Sequence, residues 1–253
     1  MKLVVFAHTP PPHHGQSYMV QLMLEGLGGD ARRRQSAGPH PRGSECYQVN
    51  ARISRGLSDI GEFQGTKILL IFWFWLQAVW LRFRHGADSL YYIPAPGKMV
   101  ALYRDWLVMF FCRPFFKHVI LHWEAAGLAK WLETEANITT RAATWRCFRP
   151  VSLSIVLSRY NVADAEKLLS HRICVVNNGI PDPCPGYAEL IRPRRLERFA
   201  IRSKLLRSES GPASPPAGAG LHTINVLYLA NCLREKGIFA AMHAVVIANR
   251  RLA

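Results

Sequence analysis

Short apolar runs alternate with amphipathic stretches along the first two thirds of the chain. The first run, LVVFA at residues 3–7, contains no polar residue, as is typical of a parallel strand covered on both faces. The loop HTPPPHHGQS follows, and then YMVQLMLEGL, whose apolar residues fall on one helical stripe. This order predicts a strand, a long loop and a helix. The loop lies at the strand's carboxyl end, the edge where open α/β sheets bind ligands.

The same alternation recurs further along the chain. The predicted later strands are CYQVNARIS, DSLYYIPAP, HVILHWE, VSLSIVLSRY and ICVVNNGI, and the helices between them include GKMVALYRDWLVMFFC, AAGLAKWLE and NVADAEKLL. Strands that alternate with helices in this way predict a parallel, doubly wound sheet. The fold class predicted for residues 1–180 is therefore α/β, with a Rossmann-like sheet.

The most hydrophobic segment is KILLIFWFWLQAVWLRF, at residues 67–83. Its uncharged part, residues 68–81, is shorter than the roughly 20 residues that a membrane-spanning helix needs. The segment therefore predicts a helix that is buried or lies at an interface. Its large aromatic residues stand beside Arg82 and Arg84, so docking on a membrane surface stays open as an alternative.

A change of composition predicts a domain boundary near residue 181. Residues 181–220 are turn-rich at first, then strongly basic, and end in the Pro/Gly-rich stretch ESGPASPPAGAG, which indicates a connector. INVLYLA then predicts a new buried strand, and IFAAMHAVVIA predicts a helix. We therefore expect an N-terminal domain over 1–180, a connector over 181–220, and the start of a second α/β domain over 221–253.

The charge of the chain favours anionic partners. Lys and Arg number 32 against 17 Asp and Glu, which gives a net charge of +15. Phosphorylated small molecules, acidic membrane surfaces and nucleic acid all suit such a charge. Nucleic acid is disfavoured, since no recognition motif accompanies the arginines. Six scattered cysteines without a CxxC pair and an N-terminus without signal-peptide features predict a cytoplasmic protein.

Several catalytic classes lack their motifs. The sequence contains no GxxxxGK[ST] loop, no GxGxxG after the first strand, no GxSxG and no HExxH. It also has no DxD pair of carboxylates to hold a metal on a nucleotide diphosphate. We therefore expect neither a metal nor another cofactor, and we expect phosphate charge to be met by Lys, Arg and helix N-termini.

Three residues at the carboxyl ends of predicted strands are candidates for a site. Gly15 precedes the first helix, where backbone N–H groups can approach a phosphate. His122 ends the strand HVILH and could hydrogen-bond a substrate hydroxyl, although a lone histidine is more often structural. Lys236 lies between VLYLA and the last helix, a place that suits a diphosphate.

Taken together, these segments resemble the group 1 glycosyltransferases (glycosyltransferase family 4). The stretch VVNNGI, with Val176, Asn178, Gly179 and Ile180, is similar to the family's V-x-N-G-[IV] signature, and YLANCLREKGIFAAMHAV is similar to its F-V-G-R-L-x-x-x-K-G signature. The resemblance implies the GT-B fold of two facing Rossmann-like domains. It also implies retaining, metal-independent, hexosyltransferase-type transfer from a nucleotide-sugar donor to a saccharide or lipid-linked acceptor.

The resemblance implies a role for each candidate residue. His122 would contact the transferred sugar near its anomeric carbon, Gly15 would lie near the donor phosphate, and Lys236 would neutralise the leaving diphosphate. The family's diphosphate arginine falls on Asn231 here, which removes one positive charge, and Arg234 could substitute for it.

The family's E-x7-E segment, which holds the donor ribose and sugar, has no counterpart after Lys236. The expectation is therefore an acceptor domain followed by the first strand-helix unit of a truncated donor domain, with impaired activity. The alternative is a non-catalytic remnant or binding module whose basic surface takes an anionic membrane or a saccharide. A peripheral location at the inner membrane face agrees with either interpretation. The donor and the acceptor stay open.

Overall fold

The structure is a computed structural model that divides into two compact units, Met1–Pro181 and Asp182–Ala253. It describes residues 1–33, 44–52, 65–207, 226–227 and 237–252. The predicted donor-side residues Asn231, Arg234 and Lys236 lie outside the described residues. The strand predicted from INVLYLA does so too, apart from residues 226–227.

The first unit is built on a six-stranded parallel sheet, which confirms the predicted α/β class. The strands, in chain order, are β1 (Lys2–Phe6), β2 (Glu45–Val49), β3 (Ser89–Tyr92), β4 (His118–Trp123), β5 (Leu153–Val156) and β6 (Ile173–Val175). Their order across the sheet is β2-β1-β3-β4-β5-β6. Strand β1 lies between β2 and β3, and its Val4 pairs with Tyr47 on one side and Leu90 on the other.

Helices cover both faces of this sheet, which explains why its strands are almost continuously apolar. The helices of the first unit are α1 (Gly15–Gly26), α2 (Gly65–His85), α3 (Met99–Cys112), α4 (Leu128–Thr134), α5 (Ile138–Phe148) and α6 (Val162–Lys167). Val20 and Leu24 of α1 pack with Leu3 and Val5 on one face. The larger core on the other face takes apolar side chains from α2 to α6.

Two local features differ from the sequence predictions. Helix α5 was not predicted; it begins after Asn137, whose side-chain oxygen accepts from the backbone N–H of Thr140 and caps the helix. Strand β6 ends at Val175, whereas the sequence predicted a strand up to residue 180. The strand stops early because its partner β5 ends at Val156 and the chain there turns into a short 3₁₀ helix.

The second unit contains helical segments. A π-helical turn at Tyr187–Ile191 leads into α7 (Arg192–Arg207), and α8 spans Ile238–Leu252. Part of the predicted connector is thus a helix, because Arg, Leu, Lys, Glu and Ala, which are good helix formers, dominate α7. Within the ranges that the structure describes, no helix is both long and apolar enough to cross a membrane.

The strand order reverses between β1 and β3. The chain passes from β1 outward to β2, then crosses back to β3 and continues to β6 in the opposite direction. In open α/β sheets the connections diverge at such a reversal and leave a crevice at the carboxyl ends of the two strands. The loops after β1 and β3 therefore border the natural place for a ligand.

Candidate functional site

His122 lies near the carboxyl end of β4, beside the crevice. Its side chain is 12% exposed. On the neighbouring strand β3, the Tyr91 hydroxyl lies 2.5 Å from His122 Nδ1. Burial, and after it the nearby Glu124, raises the pKa of Tyr91, so this hydroxyl keeps its proton at neutral pH. A Tyr91 hydroxyl that donates to Nδ1 puts the imidazole proton on Nε2.

Glu124, just beyond β4, faces the other ring nitrogen. His122 Nε2 and Glu124 Oε1 are 3.8 Å apart, too far for a hydrogen bond. Within the described parts of the chain, both atoms are buried without a hydrogen-bond partner. Buried polar atoms are nearly always paired, so two unpaired atoms that face each other are an unusual feature of this edge.

Burial also sets the charge of this pair. It lowers the pKa of His122 from 6.5 to about 4, so the imidazole is neutral at physiological pH. Burial raises the pKa of Glu124, while a hydrogen bond from Asn178 Nδ2 to Oε2, 3.3 Å long, acts in the opposite direction. His122 and Glu124 therefore do not form an ordinary ion pair at neutral pH, and the neutral imidazole can donate from Nε2.

A buried aspartate holds the loop after β4. Asp164 of α6 accepts hydrogen bonds from the backbone N–H groups of Gly127 (3.0 Å) and Ala129 (2.6 Å). Gly127 has a φ of +114°, a conformation that a side chain would strain. Glu124 lies in the short stretch between the end of β4 at Trp123 and the anchored Gly127, so its backbone is held on both sides.

A second buried aspartate holds the loop after β3. Asp105 of α3 accepts from the Tyr92 hydroxyl (2.6 Å), the Ala95 N–H (2.7 Å) and Arg104 Nη2 (2.7 Å). The Arg104 side chain remains 37% exposed. One carboxylate thus shapes the β3 loop and fixes a guanidinium, a group well suited to anions.

The loop after β1 brings two histidines together. His8 Nε2 and His14 Nε2 are 2.7 Å apart, so one ring donates to the other. Burial, together with the charges of His14, Arg104 and Arg52, lowers the pKa of His8 to about 4. Arg104 is therefore close enough to act electrostatically on this loop.

Gly15 is the first residue of α1. His14 caps the helix: its Nδ1 accepts from the Ser17 N–H at 3.4 Å, and Ser17 Oγ accepts from the His14 N–H at 3.2 Å. A Cβ placed on Gly15 would meet no atom within 4 Å. As far as the described residues go, the space beside Gly15 at the start of α1 is therefore open.

The structure places Gly15 and His122 at the same edge of the sheet, with β3 between their strands. Sequence reasoning missed His8, Tyr91 and Glu124 as members of the site. The sequence indicated Glu124 only weakly, as one of the polar residues that end the apolar strand HVILHWE. It did not indicate Tyr91, because a tyrosine in a strand is typical of any sheet.

No family model, curated protein or solved structure matches this chain. Among the described residues, no group of three or more His, Cys, Asp or Glu side chains could hold a metal ion. The arrangement offers other chemistry: a neutral imidazole held by Tyr91, a buried carboxyl group beside it, the Arg104 guanidinium on α3, and open space beside Gly15 at the start of α1.

Proposed function

We propose that this chain belongs to a retaining glycosyltransferase with the GT-B fold, moving a sugar from a nucleotide-sugar donor to a saccharide or lipid-linked acceptor. The observation that carries the proposal is the buried Nε2 of His122, which lies at the carboxyl edge of a parallel sheet and has no hydrogen-bond partner among the described residues. The sequence resemblance assigns this histidine to the transferred sugar, and its environment suits that role.

A neutral imidazole fits the chemistry of glycosyl transfer. Glycosyl transfer passes through a transition state with positive charge near the anomeric carbon, as in glycoside hydrolysis. A protonated histidine there would oppose this charge, whereas a neutral Nε2–H donates a hydrogen bond to a sugar hydroxyl. The buried Glu124 carboxyl group lies beside the same position, and any negative charge on it would favour the transition state.

The crevice and the helix N-terminus suit the phosphates of the donor. Gly15 leaves room for a phosphate oxygen near the first N–H groups of α1, whose dipole favours negative charge. Arg104 adds a fixed guanidinium at the neighbouring loop. In the proposal, Lys236 neutralises the leaving diphosphate. Asn231 stands at the position of the family's diphosphate arginine, and Arg234 substitutes for that arginine.

The test is sugar transfer by the full chain. Radiolabelled UDP-, GDP- and ADP-hexoses would be offered one at a time with saccharide and lipid-linked acceptors. We expect transfer from one donor at an impaired rate, unchanged by EDTA, and a further loss of about 10²–10⁴-fold in kcat for His122→Ala. His118→Ala is the matched control, because His118 is exposed at the opposite end of the same strand.

Lys236→Ala should reduce transfer by orders of magnitude if the lysine meets the leaving diphosphate. Transfer that His122→Ala leaves unchanged would overturn the role of the histidine. The absence of transfer from every donor would overturn the proposed function itself.

A further inference from the structure

Helix α2 carries two apolar stripes on opposite sides. The inner stripe faces the core and consists of Ile71, Phe74, Ala78 and Leu81, all buried. The outer stripe, as we call it, consists of Leu69, Trp73, Leu76, Trp80 and Phe83, which are 50–71% exposed. At 100° per residue the two stripes point in nearly opposite directions. A helix at the surface of a soluble unit normally has an apolar face only toward the core.

The outer stripe extends onto the aromatic ring of Phe115. Phe115, which follows α3, packs edge-on against Phe83 with ring centroids 6.0 Å apart, and its carbonyl accepts from Arg82 Nε at 2.8 Å. Phe110 of α3 is 67% exposed. Large exposed apolar surfaces of this kind mark interaction sites.

The stripe is held rigidly by the rest of the unit. Trp75 Nε1 donates to the Phe111 carbonyl at 2.7 Å, and the two rings lie 5.1 Å apart. Phe72 packs on Phe111 as well. These contacts fix the rotation of α2 about its axis, so the outer stripe is a preformed surface.

The charges on α2 are of one sign. The helix contains no Asp or Glu, and its charged residues are Lys67, Arg82 and Arg84. Arg84 is exposed and stands about 60° from the centre of the outer stripe. Trp and Phe in a stripe with flanking basic residues are typical of helices that lie in the boundary between lipid tails and anionic headgroups.

We propose that the outer stripe of α2 docks this protein on an anionic lipid bilayer, with the helix lying in the plane of the interface. A second copy of the chain fits less well. Two-fold pairing of α2 with itself would offer Arg84 no carboxylate partner, since the helix contains no Asp or Glu. The inference stands apart from the proposed glycosyl transfer, because it uses neither His122 nor the crevice.

The test is sedimentation of the full chain with sucrose-loaded vesicles. Phosphatidylcholine vesicles with 30% phosphatidylglycerol would be compared with phosphatidylcholine alone at about 0.15 M salt. We expect binding that needs the anionic lipid and a blue shift of tryptophan fluorescence on binding. The double variant Trp73→Gln/Trp80→Gln should weaken partitioning at least tenfold. Arg84→Gln should weaken it about fivefold, the effect of one basic residue near an anionic surface.

The control is Tyr160→Ser, which removes another highly exposed aromatic ring of the same unit, away from α2. It should leave partitioning unchanged, and circular dichroism would establish that each variant is folded. Equal binding by the double variant and the original chain, or equal binding to neutral vesicles, would overturn the proposal. So would a dimer in analytical ultracentrifugation that the double variant converts to monomer without any vesicle binding.

Discussion

The carboxyl edge of the sheet and the outer stripe of α2 break the ordinary rule of burial in opposite ways. At the edge, polar atoms of His122 and Glu124 are removed from water without a partner in the described structure. On α2, large apolar side chains such as Trp73 and Trp80 are left in water. Folding alone favours neither arrangement, because each carries a free-energy cost that better packing or pairing would avoid.

The difference between the two regions lies in how each is supported. The edge is supported by polar residues inside the protein, since Asp105 and Asp164 tie the loops after β3 and β4. The stripe is supported by apolar contacts on the inner side of its own helix. A polar ligand therefore suits the first region and an apolar surface suits the second.

The largest effect on stability should follow removal of the buried carboxylate of Asp105. Asp105→Ala leaves the Tyr92 hydroxyl, the Ala95 N–H and Arg104 without their acceptor. We expect the free energy of unfolding to fall by about 3–5 kcal/mol, measured by urea denaturation. Glu133→Ala removes an exposed carboxylate paired with Lys167 and should have a much smaller effect. Equal losses in both variants would contradict the support assigned to Asp105.

The second largest effect should be a dependence of the free energy of unfolding on pH, caused by His122. Its pKa is about 4 in the folded chain and 6.5 when unfolded, so between these values the unfolded state binds more protons. The stability that comes from keeping this ring neutral is complete above about pH 6.5 and is lost as the pH falls toward 4. From pH 7 to pH 4.5 the loss should be about 2 kcal/mol.

The measurement is urea unfolding of the original chain and of His122→Gln at both pH values. The variant should lose less stability on acidification by about that amount. His8, whose pKa is also lowered to about 4, contributes in the same direction in both proteins and cancels in the comparison. The raised pKa of Glu124 acts oppositely, since its contribution is lost as the pH rises. Equal slopes in the two proteins would show that His122 is not held neutral.

The smallest effect should come from the outer stripe. Because Trp73 and Trp80 are more than half exposed, the double variant Trp73→Gln/Trp80→Gln should change the free energy of unfolding by less than about 0.5 kcal/mol. Phe74→Ala, on the inner stripe of the same helix, should cost about 3 kcal/mol. A large loss in the tryptophan variant would mean that the stripe stabilises the fold itself.

Much of the fold could be predicted from local pattern. Continuous apolar strands and amphipathic helices identify a parallel α/β sheet, because each strand is covered on both faces and each helix on one. Helix α5 was not predicted, because Thr and Arg residues interrupt its apolar pattern and its start depends on the Asn137 cap. The helical part of the connector was not predicted, because the segment was judged by its basic charge rather than by its run of good helix formers.

The candidate site was less predictable, for a physical reason. His122 could be selected because it ends an apolar strand, but its partner Tyr91 is 31 residues away and meets it only through the pairing of β3 with β4. The His8–His14 contact likewise needs the fold of one loop. Sequence pattern indicates which edge of a sheet carries polar groups, whereas register decides which of them touch.

The most direct test of the central claim is the nitrogen resonance of His122 during donor titration. The full chain would be labelled with ¹⁵N-histidine, and His122→Gln would assign the signal. The account predicts a neutral ring protonated at Nε2 at pH 7, and a shift of that Nε2 resonance when one of the UDP-, GDP- or ADP-hexoses is added. An Nε2 signal unmoved by every donor at millimolar concentration would contradict a nucleotide-sugar site at the carboxyl edge of this sheet.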